Sequence, residues 1–390
     1  MEFLNKVGYN SRPNGFALAF GKSIEGGSRN LVGLPPLLPD WNITEICNNY
    51  LDSYSYYLFD YEEEGYKKIG GCLPAGPCQP QLHRCKNSVP KLRDNQLCSN
   101  LLWLYAVLTR NLLLGTPKIA QTWITGIAHN MPKNLYHTDD HFLEFFQRNK
   151  DIIDKSFFFI MGDHGPLAAN IGKTRLGRYE TLNPFLMVII PAVYRNTSIF
   201  AELQKKSHQL MTNFDLHATL MDILKLQPAA NFSDTGYRNM TPLSKGSSLL
   251  REWKGPRNCR TLPIPSHHCI CQYNKTEVKQ RELKMDLGQY FAKQLNLHLK
   301  RKNLDGKCQM QYYNQSSLIT KIQDGVSTLY DVAVYLSPSG GLFSAFIRQS
   351  EHGLKMSSDF SRLDAFGRQG YCLAESPNQQ LCHCIGATTP

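Results

Sequence analysis

The residues best suited to chemistry stand side by side as Asp163 and His164, between Gly162 and Gly165. A carboxylate oxygen and a neutral imidazole nitrogen form a ready pair of metal ligands. The two glycines leave room for a ligand to approach the backbone. Short motifs have low specificity, so the same four residues also allow Asp163 to cap a turn and His164 to lie in an ordinary loop.

An unbroken apolar run, residues 157–161, leads directly into this motif. Such a run predicts a strand that is buried on both faces of a parallel sheet. In open α/β sheets, ligands bind at the carboxyl ends of the strands. Because Asp163 and His164 follow the carboxyl end of this strand, their position favours a functional site.

The candidate nucleophile is Ser11, near the start of the chain. Pro13 suits the first turn of a helix and Gly21 suits its C-terminal stop, which predicts a short helix with Ser11 at its N-terminal end. The positive potential there favours an alkoxide or a bound anion. Alternatively, Ser11 is only the N-cap. A hydroxyl attacks only when a base or a metal lowers its pKa, so Ser11 needs partners from elsewhere in the chain.

Strands and helices alternate through residues 1–227, which predicts right-handed crossovers and a parallel sheet. Apolar runs at 118–128 and 185–190 predict two strands that lie side by side with the strand before Asp163. The carboxyl ends would then bring His129 to the same edge as Asp163. A β-leaning run at 54–59 predicts one more strand.

The pattern changes beyond residue 227. Gly, Pro and N-glycosylation sequons dominate to about residue 275, and a basic helix follows to about residue 302. A period-2 run at 328–336 and a second run at 342–348, separated by a Ser-Pro-Ser-Gly-Gly turn, predict a β-hairpin. These features predict a separate α+β region over residues 228–390.

The chain has 12 cysteines and six N-x-S/T sequons, which together favour a secretory, disulfide-forming environment. A cytosolic protein with free thiols and chance sequons is the alternative. We expect Cys269 and Cys271 to bond to different partners, because such close neighbours rarely meet disulfide geometry with each other. The first residues lack the apolar segment of a signal peptide, so we expect that the chain as given lacks its own N-terminus. The predicted glycosylation sites are Asn42, Asn196, Asn231, Asn239, Asn274 and Asn314.

The formal net charge is +11, and the excess of Lys and Arg lies in the C-terminal third. No nucleic-acid motif and no interleaved aromatic residues accompany these charges, so we expect no nucleic-acid partner. The basic stretch indicates either a solvated surface or attraction to anionic glycans or lipid headgroups.

Two motifs together resemble the alkaline phosphatase and sulfatase superfamily: Ser11-x-Pro13-x(7)-Gly21-Lys22 and Gly162-Asp163-His164-Gly165. Further stretches are similar to a narrower group, the secreted, cysteine-rich animal branch known as the domain-of-unknown-function 229 family. They include Phe214-Asp-Leu-His-Ala-Thr-Leu, Asn258-Cys-Arg, Phe360-Ser-Arg-Leu and Cys382-His-Cys384. The resemblance covers nearly the whole chain. It implies a mainly parallel, alkaline-phosphatase-like α/β domain flanked by helices over 1–227 and a smaller disulfide-rich α+β region over 228–390.

The resemblance also implies roles for individual residues. Ser11 falls on the nucleophile position, and Asp163 and His164 fall on ligands of a divalent metal, which would be Zn, Ca or Mn. Lys22 falls on the basic residue that follows the nucleophile helix. The weaker candidates for metal or substrate contact are His129, His217, Lys173 and Arg178.

Two departures from the superfamily pattern bear on activity. Gly15 stands where formylglycine-forming sulfatases need Arg, which favours a plain serine nucleophile. The first strand of the family carries an Asp ligand and would precede Gly8, where only seven residues remain. Ligand number sets both metal affinity and activity, so a site that lacks this carboxylate is expected to be feeble or inactive.

Two functions from different classes follow. The first is a secreted, metal-dependent hydrolase or transferase that acts on phosphate or sulfate esters through Ser11, with a glycan or a lipid headgroup as substrate. The second is a catalytically inactive sulfatase-like protein kept for extracellular binding or structure, or a truncated form of the enzyme. In either case we expect Ser11, Asp163 and His164 to converge.

Overall fold

The computed structural model describes residues 1–29, 32, 34–48, 51, 54–73, 116–124, 132–166, 174–270, 275–324, 327–364, 368–373, 376 and 378–387. The chain divides into two compact units. The first unit contains Met1–Gly26, Leu38–Pro166 and Leu182–Leu262, and the second contains Gly27–Leu37, Leu167–Thr181 and Pro263–Pro390.

The helices are α1 (Ser11–Phe20), α2 (Ile43–Asn48), α3 (Tyr57–Glu63), α4 (Asp139–Arg148), α5 (Lys150–Ile153), α6 (Arg175–Leu182), α7 (Ser198–Lys205), α8 (Asn213–Lys225) and α9 (Arg281–Arg301). The strands are β1 (Leu4–Asn5), β2 (Gly27–Arg29), β3 (Leu34–Leu37), β4 (Lys67–Leu73), β5 (Lys118–Ile124), β6 (Phe158–Met161), β7 (Leu186–Ile189), β8 (Met211–Thr212), β9 (Thr276–Glu277), β10 (Tyr312–Asp324), β11 (Ser327–Ser337), β12 (Leu342–Ser350), β13 (Gly353–Met356) and β14 (Ser361–Arg362).

Helix α1 begins and ends as the sequence predicts. Its N-cap is Asn10, whose side chain accepts a hydrogen bond from the backbone N–H of Arg12. Its C-cap is Gly21, whose φ of 62° lies in the left-handed region that glycine adopts without strain. Ser11 therefore lies in the first helical turn, and the alternative that it serves only as the N-cap is wrong.

The strand before the Asp163–His164 motif is present as β6, but its pairing differs from the prediction. It pairs with β7 in antiparallel orientation, with Met161 opposite Leu186, and all four residues of β6 are half-buried rather than fully buried. Leu186, the first residue of β7, lies opposite Met161, the last residue of β6, so the chain enters β7 at the end of the pair where it leaves β6. A crossover to the opposite end, which a parallel pair requires, does not occur here.

Parallel pairing does occur elsewhere in the first unit. Strand β5 covers most of the predicted run and pairs in parallel with β4, and β1 pairs in parallel with β8. Residues 125–131, including His129, lie outside the described residues. The described strands of this unit form separate two-stranded sheets, so the fold is mixed α/β without the single parallel sheet that we expected.

The β-leaning run at 54–59 is not a strand, because its second half, from Tyr57, belongs to helix α3. Tyr57, Leu58 and Tyr61 of this helix are buried and pack with Ala218 and Met221 of α8. Their spacing of three and four residues places them on one helical face. The tertiary contact therefore overrides the β preference of the aromatic residues.

Helix α8 passes through the core of the first unit. Its start is fixed by a capping box, in which the Thr212 side chain and the Asp215 side chain each bond the other residue's backbone N–H. Phe214 and Leu216 are almost fully buried, and each such side chain stabilises the fold by roughly 1.5–3 kcal/mol. This helix therefore provides a fixed support for α1, which packs against it.

The second unit is built on one antiparallel sheet with strand order β13-β12-β11-β10-β9, in which β14 also pairs with β12. The predicted hairpin is confirmed as β11 and β12, which pair from Thr328–Gln349 to Tyr335–Leu342. Helix α9 buries Leu287, Phe291 and Leu295 in the same core as the sheet. These residues are spaced by four, which places them on the one face that packs against β10.

Disulfide bonds hold the end of the chain. Cys308 bonds to Cys382 and Cys372 bonds to Cys384. Cys269 is also disulfide-bonded, whereas Cys271 lies outside the described residues, so their expected separate partners stay a prediction. None of the described helices has the length and apolar character needed to cross a membrane.

Five of the predicted glycosylation sites are described, and the asparagine of each is exposed. They are Asn42, Asn196, Asn231, Asn239 and Asn314. Asn274 lies outside the described residues. A glycan could therefore be attached at each of the five without displacing a buried side chain.

The disulfide arrangement predicts which cross-linked peptides the protein yields without reduction. We expect Cys308 joined to Cys382 and Cys372 joined to Cys384 in a mass-spectrometric digest. The sulfurs of Cys372 and Cys382 lie 3.7 Å apart without being bonded, so their pairing is the nearest competing arrangement. A digest dominated by the Cys372–Cys382 link, or by free thiols, would contradict the prediction.

Candidate functional site

The structure brings Ser11 and His164 into hydrogen-bonding contact. Ser11 Oγ lies 3.1 Å from His164 Nε2, although 153 positions separate the two residues. The other ring nitrogen, Nδ1, lies 2.6 Å from the carbonyl oxygen of Gly165, which can only accept. Nδ1 therefore carries a proton, and in the neutral imidazole Nε2 presents a lone pair to which the Ser11 hydroxyl donates.

Asp163 completes the cluster from the same loop. Its Oδ2 lies 3.6 Å from His164 Nε2 and is buried, with no hydrogen-bond partner in the described residues. The side chains of His164 and Asp163 are 13% and 21% exposed, so the cluster is open to solvent on one side only. A buried carboxylate oxygen without a partner calls for a ligand or a cation.

Two asparagines that the sequence analysis did not single out hold this cluster in place. Asn14 is fully buried in α1, and its Oδ1 accepts hydrogen bonds from the backbone N–H groups of Val7 and Gly8. Its Nδ2 donates to the carbonyl oxygens of Gly8 and Asn10. The loop that leads into Ser11 is therefore fastened to the helix that it starts.

The second asparagine, Asn213, starts α8 and is also fully buried. Its Nδ2 lies 3.3 Å from the carbonyl oxygen of Asn14 and 3.4 Å from that of Asp163. One side-chain amide thus links α1 to the Asp163–His164 loop. A polar side chain among apolar neighbours is a signal for such a link, but the sequence alone does not say which backbone groups it meets.

A buried lysine lies next to the cluster. Lys6 is 2% exposed, and its Nζ donates a hydrogen bond of 3.2 Å to the carbonyl oxygen of Tyr9. Burial lowers the pKa of Lys6 to about 8, and the negative charges of Glu25 and Asp163 oppose this effect. The pKa of this lysine is therefore sensitive to the charge of one candidate metal ligand, Asp163, and more strongly to that of Glu25.

The donors of this cluster fit one divalent cation. The imidazole of His164 lies 3.1 Å from the Ser11 hydroxyl and 3.6 Å from the Asp163 carboxylate, and catalytic zinc sites use three protein ligands with one open position. The unpartnered Oδ2 of Asp163 favours such an ion. Within the part of the chain that the structure describes, three His, Cys, Asp or Glu donors come together only as the sulfurs of Cys372, Cys382 and Cys384, so no further carboxylate joins Asp163 and His164 there.

Lys22 and His217 lie together at the other end of α1. A ten-residue helix is about 15 Å long, so Lys22, which follows its C-terminus, starts far from Ser11. His217 packs under the C-cap, where a Cβ on Gly21 would come within 2.6 Å of its Nδ1. Burial, and secondarily the charge of Lys22, lowers the pKa of His217 to about 4. The structure therefore does not bring these two predicted site residues to Ser11.

The remaining candidates lie elsewhere or outside the described residues. Arg178 forms an ion pair of 3.3 Å with Asp331, and Lys275 pairs with the same carboxylate at 2.7 Å. These two cations lower the pKa of the buried Asp331 against the opposing effect of burial. Lys173, like His129, is not among the described residues. Arg178 therefore has a structural partner within the second unit.

The departure at Gly15 has a steric explanation. Gly15 is buried in α1, and a Cβ there would lie 3.1 Å from the ring of Trp123. This contact is tighter than side chains normally make, so an arginine at this position, as in formylglycine-forming sulfatases, would require the Trp123 ring to move. The packing against β5 is consistent with an unmodified serine at position 11.

The protein combines a mixed α/β architecture with a cluster formed by Ser11, His164 and Asp163. The family described as "Protein of unknown function (DUF229)" matches residues 108–317, which is more than half of the chain and includes Asp163 and His164. The chain belongs to this family. No curated protein and no solved structure matches the chain.

The burial of His217 predicts a pH dependence of stability. Its imidazole stays neutral in the folded protein down to about pH 4, whereas in the unfolded chain it takes up a proton near the ordinary histidine pKa of 6.5. The unfolded state therefore binds more protons between these values, and stability falls as the pH falls through this window. In the His217→Gln variant, this contribution to the pH dependence of stability should be absent. Urea unfolding at about pH 7 and about pH 4.5 measures it.

The matched control is His208→Gln, because His208 is 70% exposed and pairs with Glu2 at the surface. This variant should keep the acid-induced loss of the unmodified protein. For each protein, the urea midpoint at about pH 4.5 is subtracted from the midpoint at about pH 7. If this difference is the same for the unmodified chain and for His217→Gln, the buried imidazole does not contribute to the pH dependence of stability.

The Asn14 contacts predict a large effect of one small change. Asn14→Ala leaves the buried N–H groups of Val7 and Gly8 without their acceptor, which should cost about 3 kcal/mol in the free energy of unfolding. Asn314→Ala, at an exposed position, should change it by less than about 0.5 kcal/mol. Equal urea midpoints for both variants would contradict this role of Asn14.

Proposed function

We propose that this chain is a metal-dependent hydrolase or transferase that acts on phosphate or sulfate esters, with Ser11 as nucleophile. The observation that carries the proposal is the 3.1 Å contact between Ser11 Oγ and His164 Nε2, beside the unpartnered Oδ2 of Asp163. The two residues come from distant parts of the chain, and the buried amides of Asn14 and Asn213 hold together the segments that carry them. The resemblance to the alkaline phosphatase and sulfatase superfamily supports the same assignment.

The chain's own residues supply the following steps. The Ser11 hydroxyl lies at the N-terminus of α1, where the helix dipole stabilises negative charge on the attacking oxygen. Its attack on phosphorus or sulfur forms a seryl ester and releases the alcohol, and water then hydrolyses that ester. Asp163 and His164 would hold the divalent cation, which when bound polarises the ester oxygens and lowers the pKa of the hydroxyl.

The disulfides and the exposed sequons support a secretory location for this activity. The basic residues of the C-terminal third support an anionic ester on a glycan or a lipid headgroup as the substrate class. The same fold kept without catalysis is the second candidate. This second candidate is favoured because, among the described residues, only Asp163 and His164 offer metal ligands beside Ser11, and no further carboxylate joins them.

The test is hydrolysis of nitrophenyl phosphate and nitrophenyl sulfate by the purified protein with Zn²⁺, Mn²⁺ or Ca²⁺, with and without the preceding Asp-bearing strand that the family resemblance implies. Ser11→Ala should reduce the rate roughly a thousandfold or more, because the nucleophile is lost. Ser207→Ala is the control, since this serine is exposed and its hydroxyl donates to the carbonyl oxygen of Gln204 in its own turn.

Metal binding separates the two candidate functions. Asp163→Asn should weaken metal binding in calorimetry as well as reduce the rate, whereas Ser11→Ala should leave folding intact. If the protein with the preceding strand binds no metal and hydrolyses neither ester, the proposed activity is wrong and the binding or structural function is favoured.

A further inference from the structure

A tight turn carries one of the predicted glycosylation sites, Asn196. The turn is closed by a hydrogen bond of 3.2 Å from the backbone N–H of Thr197 to the carbonyl oxygen of Tyr194, which also accepts the Thr197 hydroxyl at 2.7 Å. Arg195, the second residue of the turn, forms an ion pair of 2.6 Å with Asp154. These contacts fix the backbone that carries Asn196 before any glycan is attached.

The first residue of this turn is a tyrosine whose ring is supported from inside the first unit. The ring of Tyr194 lies 4.9 Å from that of Phe232 and 6.0 Å from that of Phe157, centroid to centroid, and the planes differ by 30° and 22°. Tyr194 is half-buried, and Asn196, two residues later, is exposed. Part of the tyrosine surface therefore remains open to solvent within the turn that carries the asparagine.

We propose that the first N-acetylglucosamine of a glycan on Asn196 packs on the open part of the Tyr194 ring. Each face of this sugar carries apolar C–H groups with a partial positive charge, and the face of an aromatic ring is apolar and negative. Their contact removes apolar surface from water. Because the turn and the ring are both fixed in advance, little conformational freedom is lost when the sugar packs.

The covalent step is N-glycosylation of the sequon Asn196-Thr197-Ser198. The amide nitrogen of Asn196 forms a bond to C1 of the sugar and loses one proton. The bond between C1 and the pyrophosphate of a lipid-linked oligosaccharide donor breaks, and the lipid pyrophosphate leaves. This inference requires passage through the secretory pathway and is independent of the proposed hydrolase activity.

The first test trims the glycans of the unmodified protein, produced in human cells that make only high-mannose glycans. Endoglycosidase H leaves one N-acetylglucosamine on each asparagine, whereas peptide N-glycosidase F removes the glycans completely. The first treatment should leave the urea midpoint unchanged and the second should lower it, because only the second removes the sugar that contacts Tyr194. Equal midpoints after the two treatments, or an unmodified Asn196 in a glycopeptide mass spectrum, would overturn the proposal.

The second test is a double-mutant cycle with Asn196→Gln and Tyr194→Leu, measured on the glycosylated proteins. Asn196→Gln should lower the folding equilibrium constant roughly fivefold in the unmodified background, as expected for one aromatic contact, and should have no effect beside Tyr194→Leu. After complete removal of the glycans the two changes should be additive, since the loss of ring stacking by Tyr194→Leu is common to both states. Additive effects in the glycosylated proteins would overturn the proposal.

Two further asparagines complete the design. Asn42→Gln is the matched control, because Asp40, two residues before it, forms an ion pair of 2.6 Å with Lys245 instead of offering a ring. Its effect should be additive with that of Tyr194→Leu. Asn231 directly precedes Phe232 at the same ring cluster, so its glycan is the nearest competitor. If Asn231→Gln rather than Asn196→Gln is non-additive with Tyr194→Leu, the assignment to Asn196 is wrong.

Discussion

The geometry of the candidate site depends on the need of buried polar groups for hydrogen-bond partners. The loop from Val7 to Asn10 crosses the interior of the first unit without regular structure, so its N–H and carbonyl groups cannot bond to one another. The side-chain amide of Asn14 meets several of them at once, and Asn213 ties that helix to the loop of Asp163. An unmet buried donor costs about 1–3 kcal/mol, so the loop has one favourable arrangement. The position of Ser11 relative to His164 follows from these amide contacts rather than from any contact of Ser11 itself.

Local signals in the sequence predicted the parts of the structure that local interactions determine. The helix of Ser11 begins and ends where Pro13 and Gly21 place its ends, because capping depends on neighbouring residues alone. The hairpin of β11 and β12 follows its alternating pattern for the same reason. The strand β6 was predicted within one residue at each end, and the family resemblance then selected Ser11, Asp163 and His164 as a set.

Sequence patterns did not predict the features that depend on contacts between distant parts of the chain. Whether β7 runs parallel or antiparallel to β6 depends on the path of the chain between the two strands, which their apolar patterns do not record. Aromatic residues at 57–61 favour a strand by themselves, but their spacing lets them pack on α8 as a helix. Lysine and asparagine are seldom buried, so no local signal marks Lys6 and Asn14 as interior residues. Both are buried in the folded chain by tertiary packing that no short pattern records.

The reactivity of Ser11 depends on a single lone pair, that of His164 Nε2. The Nδ1–H of His164 donates to Gly165, so only Nε2 can accept, and in this arrangement it accepts from Ser11. One lone pair cannot hold a metal ion and the Ser11 proton together. A cation held by Asp163 and His164, as in the proposed function, would occupy this lone pair, and the Ser11 hydroxyl would then lose its acceptor and lie beside a positive charge that lowers its pKa.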